Sequence, residues 1–297
     1  MSYKFDLFDK TEKINVFWPD VIPNDYHCNC KFCKKFKGTL IRKEGTLYNK
    51  KERNKYYVDQ GLHVAKTPCH LARFCVQRFS KEGDWVFDPT IGAGSTAVEA
   101  LNHGRNVIGI ELEFADLVIK NIEANHPKCK YKIISGDARR TDFYLRKLKR
   151  TFSLIINNPP YSADECERFK IEDVRSGRAP ENKRVYVYNP HLENIAFIKH
   201  EGTYYSTMYD IYRDSIEFLN PGGYFCIGVK DMVKQQKPLL LHKNFGEILE
   251  NFLHYRGMYL LPHYPPTLFM STYPKKFPRV KVPKYQTILV FQKGVTK

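Results

Sequence analysis

An α/β fold with a mostly parallel seven-stranded sheet is what the sequence predicts, and three observations predict it. From about residue 83 onward, short β-branched apolar runs alternate with amphipathic stretches, the rhythm of strands joined by crossover helices. One such run, "WVFD", passes straight into a glycine turn and a helix, "PTIGAGSTAVEAL". Polar residues able to bind a ligand end several successive runs, at the sheet edge where open α/β folds take their ligands.

Strands are expected at "WVFD" (85–88), "NVIGIE" (106–111), "YKIIS" (131–135), "SLIIN" (153–157), "GYFCIGVK" (223–230), "GMYLLPH" (257–263) and "YQTILVFQK" (285–293). Helical patterns fall between them. "STAVEALNHG" ends on Gly104, and "STMYDIYRDSIEFLNPGG" carries Tyr209, Ile211, Tyr212, Ile216 and Phe218 mostly on one face before a Pro-Gly-Gly stop. Three regions stand outside this rhythm: residues 1–60, polar, basic and Cys-bearing; 163–203, too long for an ordinary connection; and 264–284, rich in Pro, Lys and aromatics. The chain therefore divides into an N-terminal extension, 1–60, and a main domain, 61–297, in which 163–203 and 264–284 are insertions suited to facing a ligand.

Composition narrows the partner class. The 297 residues include 48 Lys and Arg against 32 Asp and Glu, a net charge of +16 that attracts polyanions and favours release of counterions from a phosphate backbone. Nucleic acid is the expected partner. No uncharged apolar run reaches the roughly 18 residues of a membrane span, and the charged start "MSYKFDLFDKTEK" lacks a secretory h-region, so a cytoplasmic, DNA-associated protein without a membrane partner is expected.

In the turn after "WVFD", Gly92 and Gly94 allow the backbone to approach a ligand closely, and the helix opened by Ser95 and Thr96 presents N–H groups to an anionic group. A dinucleotide site competes at this stage, since Ala97 stands where its fingerprint takes a third Gly or Ala. The acids then point to an adenosine with a short charged tail. Glu111 ends the second strand, where a carboxylate accepts both ribose hydroxyls, and Asp137 follows the third, placed for an adenine amino group.

The fourth strand ends in Asn158-Pro159-Pro160-Tyr161, and two prolines lock two φ angles there. An exocyclic amino group on adenine or cytosine is a poor nucleophile because its lone pair is delocalised into the ring. Two fixed acceptors for its hydrogens favour a pyramidal nitrogen and free that pair. The Asn158 side-chain oxygen and the Pro159 carbonyl are such acceptors, and Tyr161 offers a face on which a base stacks, worth about 1–3 kcal/mol.

These residues resemble S-adenosyl-L-methionine-dependent DNA amino-methyltransferases, the family that methylates adenine N6 or cytosine N4. "GDWVFDPTIGAGSTAVEALNHGRNVIGIELE" is similar to its cofactor motif and acidic strand, "INNPPYS" to its catalytic motif, and "HVAKTPCHLARFCVQRFS" to the helix before the cofactor motif. "IEFLNPGGYFCIGVKDMV" and "YQTILVFQKG" resemble its fifth and last strands, so the likeness covers most of residues 62–293. It implies a Rossmann-like methyltransferase fold with an antiparallel last strand, S-adenosyl-L-methionine as cofactor, and a flipped base in DNA as substrate, adenine N6 before cytosine N4. By position, Asp88, Gly92 and Gly94 shape the cofactor pocket, Glu111 binds ribose, Asp137 adenine, Thr67 and Pro68 lie near the methionine, and Asn158 to Tyr161 hold the base.

At two further cofactor-pocket positions the sequence departs from the pattern: Thr90 stands where the family usually has an aromatic residue, and Ser95 where it commonly has Thr. Besides DNA, the resemblance makes a cognate restriction endonuclease a candidate partner, an orphan enzyme being the other case, and leaves 163–203 and 264–284, together with the N-terminal region, as candidates for reading the target sequence. An RNA base amino-methyltransferase and a catalytically silent nucleic-acid-binding protein are the alternatives.

One further motif is independent of the resemblance. "HCNCKFCKKFKG" places His27, Cys28, Cys30 and Cys33 within seven residues, four ligands of the kind that hold structural zinc. Free thiols in a basic arm are the competing reading.

Overall fold

The computed structural model of the chain describes residues 3–5, 14–17, 30–34, 38–41, 67–125, 127–160, 194–198, 200–234, 237–262 and 285–295. Tyr161, His27, Cys28, the segment 264–284 and most of 163–203 lie outside these residues.

The strands are β1 (Tyr3–Phe5), β2 (Ile14–Phe17), β3 (Gly38–Ile41), β4 (Trp85–Asp88), β5 (Asn106–Glu111), β6 (Tyr131–Ser135), β7 (Phe152–Asn157), β8 (Leu219–Val229), β9 (Met232–Lys234), β10 (Lys237–Leu239), β11 (His254–Pro262) and β12 (Tyr285–Gln292). The helices are α1 (Lys31–Lys34), α2 (Cys69–Phe79), α3 (Ser95–Asn102), α4 (Ala115–Glu123), α5 (Thr141–Leu148), α6 (Glu201–Glu217) and α7 (Leu241–Glu250). The main sheet runs β1-β2-β3-β11-β12-β8-β7-β4-β5-β6.

Seven of these strands, in the order β6-β5-β4-β7-β8-β12-β11, form the sheet the sequence predicts. The pairs among β6, β5, β4, β7 and β8 are parallel, and β12 runs antiparallel between β8 and β11. Beyond it, β3 pairs in parallel with β11 through Tyr259↔Gly38 and Leu260↔Thr39, so the sheet continues into the N-terminal segment.

Alternation along each central strand sends successive side chains to opposite faces. Val86, Leu154, Ile156, Cys226 and Val290 face a layer with α2, α3 and α4, while Phe87, Ile155, Phe225, Ile227 and Phe291 face α5, α6 and α7. Burial of each such large side chain contributes about 1.5–3 kcal/mol. Phe87 stacks on Phe152 at 4.9 Å, which fixes β4 beside β7 on that face.

The strand order reverses at β4 and β7, which are neighbours although β5 and β6 intervene in sequence. A crevice opens at the carboxyl ends of two such strands. The glycine turn follows β4 and Asn158 follows β7, so topology alone brings the two motifs together.

Candidate active site

The glycine turn is held from several sides. Gly92 and Gly94 adopt φ of 55° and 86°, and a Cβ on Gly94 would lie 2.8 Å from Val118 Cγ1 of α4. Ile91 donates its N–H to the Ile110 carbonyl at 3.0 Å, and the buried Asn121 amide donates to the Ala93 carbonyl at 2.9 Å. Turn, β5 and α4 are thus one unit.

Glu111 closes it. One carboxylate oxygen accepts from the Gly92 N–H at 3.0 Å, and the other accepts from Glu113 and Phe114 N–H groups at 3.1 and 3.2 Å. Burial outweighs these three donors and pushes its carboxyl up to about 7, with Glu113 adding repulsion. A carboxylate oxygen accepts more than one bond, so the side chain retains capacity for hydroxyl donors.

Asp88, at the end of β4, is 1% exposed, and burial pushes it up to about 6 against the hydrogen bonds it accepts from the Thr90 N–H and Asn157. Asn157, the last residue of β7, donates its side-chain amide to Asp88 Oδ1 at 3.2 Å and to Thr90 Oγ1 at 2.7 Å. Its own oxygen accepts from the Tyr212 hydroxyl of α6 at 2.8 Å. Thr90 therefore has a definite task where an aromatic residue was the family expectation: its hydroxyl accepts from Asn157 and ties the glycine turn to β7.

One residue further, the Asn158 side-chain oxygen accepts from the Gln286 amide of β12 at 2.9 Å. Gln286 is 3% exposed and reaches Asn158 from across β8. Gly228 of β8 makes room: a Cβ there would lie 2.4 Å from Leu71 Cδ1 and 3.4 Å from Gln286 Nε2. Pro159 is buried, and the Pro160 carbonyl accepts from the Tyr204 hydroxyl at 2.6 Å, which fixes the second proline's carbonyl as well.

Thr67 and Pro68 lead into α2, and the buried ion pair of Arg73 with Glu99 (Nε to Oε2 2.8 Å, Nη2 to Oε1 3.1 Å) locks that helix to α3, whose first residue, Ser95, is buried at the turn. Asp137 turns back on its own chain, accepting from the Arg139 N–H at 2.9 Å and its guanidinium at 2.8 Å. The end of the 163–203 insertion returns beside Glu111, where the Asn194 amide donates to Glu113 Oε1 at 2.6 Å.

Asp88, Thr90 and Asn157 are joined directly, and the turn they border is bonded to Glu111; Asn158 is held by Gln286 alongside. Asn157, Gln286 and Tyr204 escaped sequence reasoning, and Tyr212 was read only as part of an apolar helix face, because each acts through another residue. Of the four Cys and His residues singled out in the N-terminal segment, Cys30 and Cys33 are described; both lie 3.4 Å from His242, which sequence reasoning did not single out.

A tight glycine cradle, a buried acid on the next strand and an anion-favouring helix start suit an adenosine carrying a charged tail. The residues present fit S-adenosyl-L-methionine.

Comparison with known proteins finds likeness over parts of the chain. The family model described as DNA methylase matches residues 4–117, a segment that holds the glycine turn and Glu111 and stops before Asn158. The type II methyltransferase M.Cfr9I of Citrobacter freundii is 35% identical over 65 residues, 21% of this chain and 22% of its own. A putative ribosomal RNA large subunit methyltransferase, MJ1649 of Methanocaldococcus jannaschii, is 34% identical over 91 residues, 30% of this chain and 24% of its own. The chain thus spans about a quarter or less of these curated relatives. The crystal structure of TrmN from Thermus thermophilus is similar with a TM-score of 0.48 and 15% identity, covering 77% of this chain and 50% of that one. The chain is thus similar, over the segment that holds the glycine turn and Glu111, to N6/N4 amino-methyltransferases.

Proposed function

We propose that the protein moves the methyl group of S-adenosyl-L-methionine to the exocyclic amino nitrogen of a base flipped out of DNA, adenine N6 in preference to cytosine N4. The observation that carries this is Asn158, whose side-chain oxygen is pinned at the carboxyl end of β7 by Gln286, one residue from the Asn157 bonds to the cofactor turn. When bound, the cofactor supplies a sulfonium-activated methyl group. The chain's own part is positioning and electrostatics.

Asn158 and the Pro159 carbonyl accept the two amino hydrogens and turn the nitrogen lone pair outward. Proline fixes the φ of residue 159, so the acceptor geometry exists before the base arrives. Glu111 receives the ribose hydroxyls, Asp137 the adenine amino group, Thr67 and Pro68 border the methionine end, and Tyr161 stacks on the flipped base. Flipping is required because a paired base keeps its amino group inside the duplex.

The insertions 163–203 and 264–284 are the target-recognition segments in this reading, and the excess of basic residues supports contact with phosphates. A cytoplasmic, DNA-associated location follows; among the described residues no helix is long and apolar enough to cross a membrane. Resemblance to type II methyltransferases supports a restriction-modification role with a cognate endonuclease. The ribosomal RNA methyltransferase relatives favour a second reading, an RNA base amino group as acceptor.

Incubation with labelled cofactor and either duplex DNA or RNA, followed by digestion to nucleosides, separates the two. Label in N6-methyldeoxyadenosine is the expected result. Label confined to RNA overturns the DNA reading, and label in neither overturns both.

A further inference from the structure

Away from the glycine turn and Asn158, one group of side chains is arranged as metal ligands are. Cys30 and Cys33 bracket the first turn of α1 in the spacing Cys-x2-Cys, and His242 is the second residue of α7. His242 Nε2 lies 3.4 Å from the sulfur of each cysteine, and the three ligand atoms lie within 4.8 Å of one another. In tetrahedral zinc sites, with Zn–S of about 2.3 Å and Zn–N of about 2.05 Å, sulfur and nitrogen ligands stand about 3.6 Å apart. The observed spacing departs from that by a few tenths of an ångström.

The imidazole is already aimed. Its Nδ1 donates to Asp231 Oδ2 at 2.6 Å, while Asp231 Oδ1 accepts the His242 backbone N–H at 3.0 Å. That carboxylate sets the tautomer, so the Nε2 lone pair faces the sulfurs, the arrangement by which second partners orient metal-bound histidines. His242 is 0% exposed, Asp231 3% and Cys33 2%. A neutral Nε2 has a single in-plane lone pair, and one cation can be shared by it and both sulfurs. Two thiolates balance the charge of one divalent ion, so the ion with its three ligands is neutral, and the Asp231 carboxylate beside it accepts the two His242 N–H bonds.

We infer that Cys30, Cys33 and His242, the last positioned by Asp231, supply three of the four ligands of a zinc ion that fastens the N-terminal segment to the end of the sheet. The surface around it is already complementary. Phe32 packs edge-on against Tyr255 and Phe291, Lys31 pairs with Glu250, and a Cβ on Gly246 of α7 would lie 2.4 Å from Phe32 Cε2. Segment 30–34 thus docks through apolar contacts and the ion locks it. Deprotonation of both thiols accompanies binding, with the protons released to solvent.

The test is metal content of the untagged full chain, purified under reducing conditions without chelators and then equilibrated with zinc and dialysed. About one zinc per chain is expected, falling at least tenfold in Cys33→Ser and in His242→Ala. Asp231→Asn retains the ion but binds it about 10–100-fold more weakly. Because either ligand variant could misfold, cobalt is also titrated into the metal-free wild type. Visible bands of a tetrahedral ion and thiolate-to-cobalt charge transfer support the site. Zinc below a tenth of an equivalent after equilibration, an octahedral cobalt spectrum, or full zinc in folded Cys30→Ser/Cys33→Ser overturns it.

Discussion

Gln286, in the last strand, donates its side-chain amide to the Asn158 oxygen at 2.9 Å across the intervening β8. An amide oxygen has two lone pairs, so one is used to orient the group and the other can receive a substrate hydrogen.

Replacing Gln286 by Leu removes the orienting donor and leaves Asn158 and the prolines in the chain. A neutral hydrogen bond of this kind contributes about 0.5–1.5 kcal/mol, so kcat for methyl transfer falls about 2- to 10-fold. Cofactor affinity stays within about threefold, since Gln286 bonds to Asn158 and not to the glycine turn or Glu111. Single-turnover rates and calorimetric cofactor titrations of the variant check both parts.

Tyr212 is fully buried and donates to the Asn157 oxygen. Tyr212→Phe keeps the ring that packs on Phe225 and deletes the donor, leaving a buried carbonyl short of one bond. Stability drops by about 1–3 kcal/mol, and because Asn157 ties β7 to Thr90 and Asp88, the methylation rate falls as well. Urea unfolding and rate measurements on the same preparation read the two effects.

The Arg73–Glu99 pair is a second buried polar link, with side-chain exposures of 11% and 1%. Arg73→Leu alone strands the Glu99 charge and costs about 3–5 kcal/mol. The double variant Arg73→Leu/Glu99→Leu recovers most of that loss. A double-mutant cycle by chemical denaturation measures the difference.

Glu111 gives a pH signature. Its carboxyl is raised from an ordinary 4.5 to about 7 in the folded chain, so the folded state binds more protons than the unfolded one between those values. The stability is fully present below about 4.5 and is lost as pH rises towards 7, a loss of about 3 kcal/mol. Asp88, raised to about 6, acts in the same direction. Glu111→Gln flattens the upper part of this slope, read as denaturation midpoints at pH 4.5, 6 and 7.5. Cofactor hydroxyls prefer the ionised carboxylate, so wild-type cofactor affinity rises from pH 6 to 8 and that of the variant does not.

Much of the site was legible because its chemistry is local in sequence. Strands β4, β5 and β6 coincide with "WVFD", "NVIGIE" and "YKIIS", since β-branched runs bounded by turn residues leave little choice. Gly92, Gly94, Glu111 and Asn158 stand out in the sequence because turn, acid and proline motifs are short and local, and the structure places the glycine turn and Asn158 at the ends of the neighbouring strands β4 and β7.

What escaped notice acts over distance. His242 lies 209 residues from Cys33, and Gln286 lies 128 from Asn158, so no spacing rule connects them. Strands β1, β2 and β3, of three or four residues each, are too short for an alternation pattern and join the sheet through backbone pairing. Thr90 departs from the family pattern, and the partner of its hydroxyl, Asn157, lies 67 residues away.

The most direct test of the account is the single-turnover methylation rate of Asn158→Ala on duplex DNA, with cofactor affinity measured alongside. Loss of one preorganised acceptor predicts a rate about 10²–10³-fold lower with the cofactor Kd within about threefold. A folded variant that methylates DNA at the wild-type rate would contradict the central claim that Asn158 prepares the amino nitrogen for attack.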